Sequence, residues 1–472
     1  MEPSLDGMRQ RPYAYSDVFR HPPLGGSAWG SSGGHIREDI DPAVARVCKN
    51  ESNCTVFLRD GTWLTTWGQG SHEGHPDQRI VCATSCDTGR TWSQPITVQE
   101  SNPARSENVA YGVPFVVPET GRVYVFYFLT VNTEGPHYAA TGSLKGAKRA
   151  HPLHQSGTLH FVYSDDGAQT WSRRYPINLP PRAVNVQPGA WHAWVNHPPV
   201  QMPTGEVLLT FSATRSTGIG ATPWQLGAAE ANVLRCDNLC TEDDPAALQF
   251  TLLPEGAHGI RTNLRDHWDN PALQRHVEFW KGEPDDTGWS LQELTLVALA
   301  DGRWLGVGRT YLGSPGYTIS EDRGTSWSRA EPLCWRPGGE PIPHPMTMCP
   351  IAPTSDGRIV LLFTNNDGSA RGAQHVWDGD GRTRNPQWMA VARQVEDPSG
   401  KVANAGLVFD APVLLAEVDD SGETNLKTGI SMPQFFEREN RWFVCYNIDK
   451  EHLLLDEVSG VAGSPGSCVP SV

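Results

Sequence analysis

The sequence predicts an all-β chain of repeated hairpins that closes as a six-bladed β-propeller. Three observations carry this expectation. The 472 residues include 47 Gly, 38 Pro and 17 Trp, a composition rich in turns and aromatic anchors and poor for a helical protein. A pattern of apolar run, two-residue turn containing Gly or Asn, and second apolar or aromatic run recurs six times along the chain. The recurrences average about 76 residues apart, enough for four strands and their loops, which is the size of one propeller blade.

The turns come in order at Asp60-Gly61, Thr120-Gly121, Thr204-Gly205, Asp301-Gly302, Asp356-Gly357 and Glu439-Asn440. Gly, Asn and Asp tolerate the positive φ that tight hairpin turns require, so each motif predicts two antiparallel strands. A second repeat, S-x-D-x-G-x-T-W, reads SCDTGRTW from Ser85 and SEDRGTSW from Ser320, with Ser in place of Thr. The stretch SDDGAQTW from Ser164 fits except that its Gly falls one place early and Ala168 takes the Gly position. The starts are 79 and 156 residues apart, which places a degenerate or lost copy near Leu234–Cys240. The chemistry of the box is structural. Its Ser and Asp side chains bond turn amides, its Gly takes the strained φ and its Trp packs between sheets. The expected organisation is an N-terminal extension over 1–45, part of which adds a strand to complete the last blade, a propeller over 46–458 and a C-terminal tail over 459–472.

Composition excludes several function classes. With 38 Lys+Arg against 53 Asp+Glu the net charge is −15, unsuited to a nucleic-acid backbone whose phosphates call for cations. No run approaches the ~18 consecutive apolar residues of a membrane span. The start, MEPSLDGMRQRPYAY, has no apolar signal region, which predicts a cytoplasmic protein with its ten cysteines reduced. Cys82 with Cys86, and Cys236 with Cys240, lack a partner pair at zinc-finger spacing, so no metal and no cofactor are expected.

These boxes and hairpins together resemble the sialidase (BNR-repeat, Asp-box) superfamily from about Asn50 to about Glu457. The resemblance implies a six-bladed β-propeller of sialidase type, with the boxes on its outside, away from the chemistry. It also implies a carbohydrate substrate and a sialidase-like exo-glycoside hydrolase taking a terminal, acidic sugar. A polysaccharide lyase acting on uronate-containing glycans and a non-catalytic carbohydrate-binding propeller are the alternatives.

Residues equally far either side of a hairpin turn are antiparallel neighbours. Counting eight each way from Asp301 pairs Glu293 with Arg309 at the open end of the hairpin, away from the turn. The same count brings Gly112 beside Tyr111, Asn196 beside His197, Met348, and Ser431 beside Met432 to that end, with Asn365 and Asn447 on returning strands. A rim this polar reads as a pocket. The resemblance makes Glu293 a catalytic carboxylate and Arg309 part of an anion clamp. It makes Asp77, in the loop before the first box, the acid; His75, in the same loop, is a candidate substrate contact. Arg384, ahead of an apolar alternating segment, fits a second clamp position better than Arg371 does. An Arg fork meets a carboxylate through two hydrogen bonds. Two departures stand out. No Arg aligns ahead of the first hairpin, where the chain reads CKNESNCTVFLRDG, and Met432 falls where the family's nucleophilic Tyr belongs. His197 as base with Tyr111 as acid is the equipment of the lyase alternative. Trp67, Trp191 and Trp194 are candidates for stacking on sugar rings.

Overall fold

A computed structural model describes residues 8–19, 49–70, 78–102, 105, 107–132, 155–185, 191–214, 229–274, 288–367, 384–395, 403–418, 429–448, 450 and 452–459. Each of the six hairpins seeds its own sheet. The first sheet runs Lys49–Phe57, Trp63–Gly70, Arg79–Ser85 and Ile96–Glu100. The second runs Glu107–Val116, Val123–Asn132, Gln155–Ser164 and Tyr175–Ile177. The third starts from two short pieces, Ala193–Trp194 and Val200–Gln201, and continues through Val207–Thr214, Ala229–Cys236 and Phe250–Leu253. The fourth holds Gln292–Ala298, Trp304–Arg309, Gly316–Ser320 and Glu331–Pro332. The fifth holds Ile351–Pro353, Ile359–Phe363, Gln387–Gln394 and Val413–Val418, and the sixth Ile430–Arg438, Arg441–Ile448 and His452–Glu457.

The ring closes in sequence order. The inner strand of each sheet packs against its neighbour in turn, and Ile430–Arg438 of the last meets Lys49–Phe57 of the first. Because both faces of the middle strands are covered, strict alternation is lost. Trp63–Gly70 and Val207–Thr214 are buried at every position, as expected of strands enclosed between layers. The N-terminal segment contributes two outer strands. Ala14–Phe19 pairs with His452–Glu457, giving the sixth sheet its fourth strand, and Met8–Gln10 pairs with Val413–Val418. Arg11 holds this junction, donating from Nε to Asp456 at 2.6 Å, while the Tyr446 hydroxyl donates to the other oxygen of the same buried carboxylate at 2.8 Å. Blade regularity is not uniform. Four sheets have four strands, whereas the third also carries Thr262–Asn263 with Trp289–Ser290 and the fifth also carries Leu407–Phe409.

The hairpin turns differ from the two-residue expectation. In four of them the Gly amide donates three residues back, as Gly61 does to the Leu58 carbonyl at 2.9 Å, and the residue at the start of the turn bonds across the Gly. That is a type I turn followed by a residue at positive φ, here Gly61 at 89° and Gly302 at 88°. The second hairpin is one residue longer, with the Gly121 amide donating to the Val117 carbonyl. Glu439 and Asn440, at φ 53° and 59°, form a two-residue turn.

The boxes form as anticipated in the first, second and fourth sheets, at the hairpin-turn end. Ser85 Oγ donates to Asp87 at 2.8 Å and accepts from the Gly89 amide at 2.9 Å, and the Thr91 amide and hydroxyl donate to the two Asp87 oxygens. These bonds pull the Asp87 carboxyl down to about 2. The degenerate copy is visible in the third sheet. Cys236 stands at the Ser position and donates to Asn238, which replaces the Asp and accepts from the Gln249 amide at 2.9 Å.

The displaced glycine of the second box has a steric cause. A Cβ at Gly89 would lie 2.7 Å from the Trp63 ring, and one at Gly324 2.8 Å from Trp304. The residue in the corresponding place of the second sheet is Val123, opposite Ser164 as Trp63 is opposite Ser85. Val123 and Ala168 share one packed cluster. Ala168 accepts φ 68° because the smaller Val leaves room for a methyl. Gly89→Ala should therefore cost roughly 1–3 kcal/mol through overpacking and positive φ. Ala168→Gly should cost less than about 1 kcal/mol, since backbone relief offsets the lost burial. Equal losses for the two variants in urea unfolding would refute the size coupling.

Candidate functional site

The inner strands reach the axis through a shared device. Register breaks between Glu51 and Cys54, Ala110 and Val113, Gln292 and Thr295, and Ser431 and Gln434. In each bulge one non-glycine residue takes a left-handed backbone: Ser52 at φ 54°, Tyr111 at 57°, Glu293 at 53° and Met432 at 54°. An extra residue re-aims its side chain, and four such bulges at matching positions mark one end of the ring. In the third and fifth sheets the corresponding places are the segment carrying Asn196 and His197, and Met348 just before Ile351. The bulge also corrects the residue count, because Gln292, not Glu293, lies opposite Arg309.

Glu293 is nearly enclosed and multiply bonded. Its Oε1 accepts from Asn196 Nδ2 at 2.9 Å, Trp194 Nε1 at 3.3 Å and Arg309 Nη1 at 3.3 Å, and its Oε2 accepts from the same Arg309 nitrogen at 3.2 Å. The Glu293 amide donates to Ser212 Oγ at 2.7 Å. That bond fixes the strained backbone from the neighbouring sheet. Asn196 ties in two more sheets, reaching Met348 Sδ at 3.7 Å and accepting at its carbonyl from Cys54 Sγ at 3.5 Å. Arg309 engages Glu293 with a single nitrogen rather than its two-pronged fork, so the pair leaves part of the guanidinium unused by the carboxylate.

Two buried histidines flank this pair. His197 lies beside Asn196, and burial brings its imidazole down to about 4 against an upward pull from Glu293. His344, buried in the segment leading to the fifth sheet, is brought down to about 3 by burial, with Arg309 and Arg384 adding to the fall. Its neutral ring is satisfied, with Nε2 donating to the Thr347 carbonyl at 3.0 Å and Nδ1 accepting from the Thr364 amide at 3.2 Å. Asn365 follows directly, at φ 50°. Thus Glu293, Arg309, Arg384, His197 and Asn365 gather at one end of the ring. Tyr111 sits there too, half-buried in the bulge of the second sheet. Asp77, His75 and Arg371 lie outside the described residues.

Met432 occupies its bulge with its sulfur accepting from both the Ser52 amide, at 2.8 Å, and the Ser52 hydroxyl, at 3.0 Å. The two departures noted in the sequence are therefore in direct contact. Trp67 and Trp191 are buried core residues, and Trp67 donates to Asn50 at 2.9 Å. Neither is available for stacking on a sugar. Trp194 is half-buried. His344 and the Ser52 contact had no sequence signal, since they arise from an irregular segment and from a bulge that needs no glycine. Among the described residues no cluster of His, Cys, Asp and Glu could hold a metal ion, and no helix is long and apolar enough to cross a membrane.

A family profile described as BNR repeat-like domain matches residues 61–303, half of the chain. The chain belongs to this BNR repeat-like family. A stretch of 142 residues is 27% identical to a sialidase of Clostridium perfringens, covering 29% of this chain and 34% of that protein. The chain thus spans about a third of the length of that relative. Among solved structures, the intramolecular trans-sialidase of Ruminococcus gnavus superposes with a TM-score of 0.55 at 13% identity, over 94% of this chain and 96% of that one. A protein of unknown function from Dyadobacter fermentans gives 0.54 at 12%, over 96% and 100%. A leech intramolecular trans-sialidase gives 0.56 at 13%, over 94% and 70%. At these identities the likeness establishes the propeller fold. This BNR repeat-like chain is a divergent member of the sialidase superfamily.

The buried imidazoles make the site acid-sensitive. Between about pH 6.5 and about 4 the unfolded chain binds protons at His197 and His344 that the folded chain excludes. Stability should therefore fall as pH falls through this window, by on the order of 3 kcal/mol for each imidazole. His197→Gln should flatten the pH dependence of the urea midpoint over that range. An unchanged slope would show that His197 takes up protons in the folded state.

Proposed function

We propose that this chain is a sialidase-like exo-glycoside hydrolase that removes a terminal acidic sugar from a glycan. The observation that carries the proposal is the Glu293–Arg309 pair, held in a strained bulge at the axis with Arg384 acting on the same imidazole as Arg309. A carboxylate in a positive-φ bulge persists only when its surroundings over-determine it, and such strain concentrates at functional sites. Breaking a buried ion pair is strongly destabilising, yet an apolar pair of similar volume is often as stable, so its presence at the axis favours use over architecture.

On this reading Arg309 and Arg384 bind the sugar carboxylate, with Asn365 and His75 as further contacts. Glu293 takes the proton of an attacking water as that oxygen bonds to the sugar, and Asp77 supplies a proton to the departing oxygen. Met432 has no ionisable hydroxyl, so attack through an aryl oxygen at that position is excluded. The elimination alternative is weaker. His197 is enclosed, and an imidazole brought down to about 4 is a poor base for a carbon-bound proton. A purely binding role leaves the strain at Glu293 without a use.

The test is a panel of glycans ending in sialic or uronic acids, with released sugar quantified for the native chain and for Glu293→Gln. Loss of a general base should lower turnover by about 10²–10⁴-fold while circular dichroism stays unchanged. Full activity of Glu293→Gln would remove that residue from the mechanism. A product absorbing in the ultraviolet as an unsaturated sugar would overturn hydrolysis in favour of elimination.

A further inference from the structure

The hydrogen bonds to Glu293 are not shared evenly between its two oxygens. Oε1 accepts from three residues on two sheets, Asn196, Trp194 and Arg309. Oε2 accepts, among the described residues, from Arg309 alone at 3.2 Å. An ionised carboxylate has about four lone-pair sites, two on each oxygen, so Oε1 is filled and Oε2 keeps acceptor capacity. The two oxygen positions of Glu293 are held distinct by their surroundings. Its backbone is pinned by the Ser212 hydroxyl, and Asn196 is itself wedged between Met348 and Cys54.

We infer that Oε2 of Glu293 is the atom that takes the proton, and that Asn196 and Trp194 are positioning residues that reserve it for that task by occupying Oε1. This rests on the hydrolase reading for its substrate but not for its geometry. In the step, a water O–H bond breaks and its proton passes to Oε2, leaving a neutral carboxyl. The water oxygen forms the new bond to the sugar, and the electron pair of the cleaved bond leaves on the departing oxygen, which receives a proton from the acid. Removing a donor from Oε1, or placing a second carboxylate beside it, disfavours the charged form of a carboxyl. Trp194 and Asn196 both come from the third sheet, whose inner strand is interrupted between Trp194 and Val200. That interruption lets two nearby residues of one sheet both reach an oxygen belonging to the next.

The experiment uses Trp194→Phe, which keeps the ring and removes the donor, and Asn196→Asp, which replaces the donor with a second carboxylate. Two quantities are read on the full chain. One is the acidic limb of the kcat/KM profile on the best glycan of the panel. The other is the titration midpoint of the Glu293 carboxyl by carbon-13 NMR, assigned by the resonance lost in Glu293→Gln. The expected result is an upward move of both by about half to one unit in Trp194→Phe and by about one to two units in Asn196→Asp. A merely structural role would lower the melting temperature and the plateau rate without moving either quantity, and that result would overturn the inference. If no glycan is turned over by the native chain but the midpoint moves as stated, the hydrolase reading fails and the assignment of Oε2 as the available acceptor stands. If the midpoint is unmoved in both folded variants, the assignment itself fails.

Discussion

The hydrogen bond from Asn196 to Glu293 is the contact around which this end of the ring is organised. Asn196 belongs to the third sheet and Glu293 to the fourth, and the same asparagine also touches Met348 of the fifth and Cys54 of the first. Sheets that are far apart in sequence thus meet through one amide side chain. A buried amide or carboxylate left without such partners would lose about 1–3 kcal/mol, and more if charged. The four-sheet meeting therefore acts as a register check on the closure of the ring. Only when the sheets are in their native places does the Asn196 amide meet the Glu293 carboxylate.

The two ends of the ring carry separate tasks. At the hairpin-turn end, boxes and glycines settle local geometry by steric fit, as the pairing of Gly89 with Trp63 and Ala168 with Val123 illustrates. At the open end, backbone strain is tolerated at Ser52, Tyr111, Glu293 and Met432 because tertiary hydrogen bonds hold two of those four amides. Sequence change at the first end is constrained by volume, and at the second by polar complementarity. A fold built this way can alter its chemistry without disturbing its turns, which fits a chain that keeps the boxes while differing at the axis.

Much of the first end was legible in the sequence and less of the second. Turn residues declare themselves, because Gly, Asn and Asp are selected by φ, and the Ser-Asp-Gly-Trp spacing encodes its own hydrogen bonds. Counting outward from Asp301 located Glu293 and Arg309 on that basis. The count missed the bulge by one residue, since nothing in the letters around Glu293 signals a left-handed backbone; the constraint comes from Ser212 on another sheet. His344 was invisible for a related reason. It reaches the site from an irregular segment with no period, and its place is set by Thr347 and Thr364. The degenerate box at Cys236 and Asn238 was anticipated by spacing, but its hydrogen-bonding pattern became clear only from the geometry.

The contact between Ser52 and Met432 bears on the chemistry the axis can support. Met432 stands where a phenol is expected from the resemblance, and the stretch around Ser52 lacks the expected arginine. Because the thioether accepts from the serine amide and hydroxyl, neither group is left as an uncompensated polar atom. The charges that do lie close by, Glu51 and Lys450, face each other at 3.6 Å and cancel. The first and sixth sheets thus bring this neutral contact and a charge pair to the axis, while the guanidinium groups come from the fourth and fifth, as Arg309, itself paired with Glu293, and Arg384. An anionic ligand entering this end meets an electrostatic gradient across the axis rather than a symmetric clamp. On the proposed reading, that gradient turns the carboxylate of the sugar toward Arg309 and Arg384, and so sets which bond of the glycan is presented to Glu293.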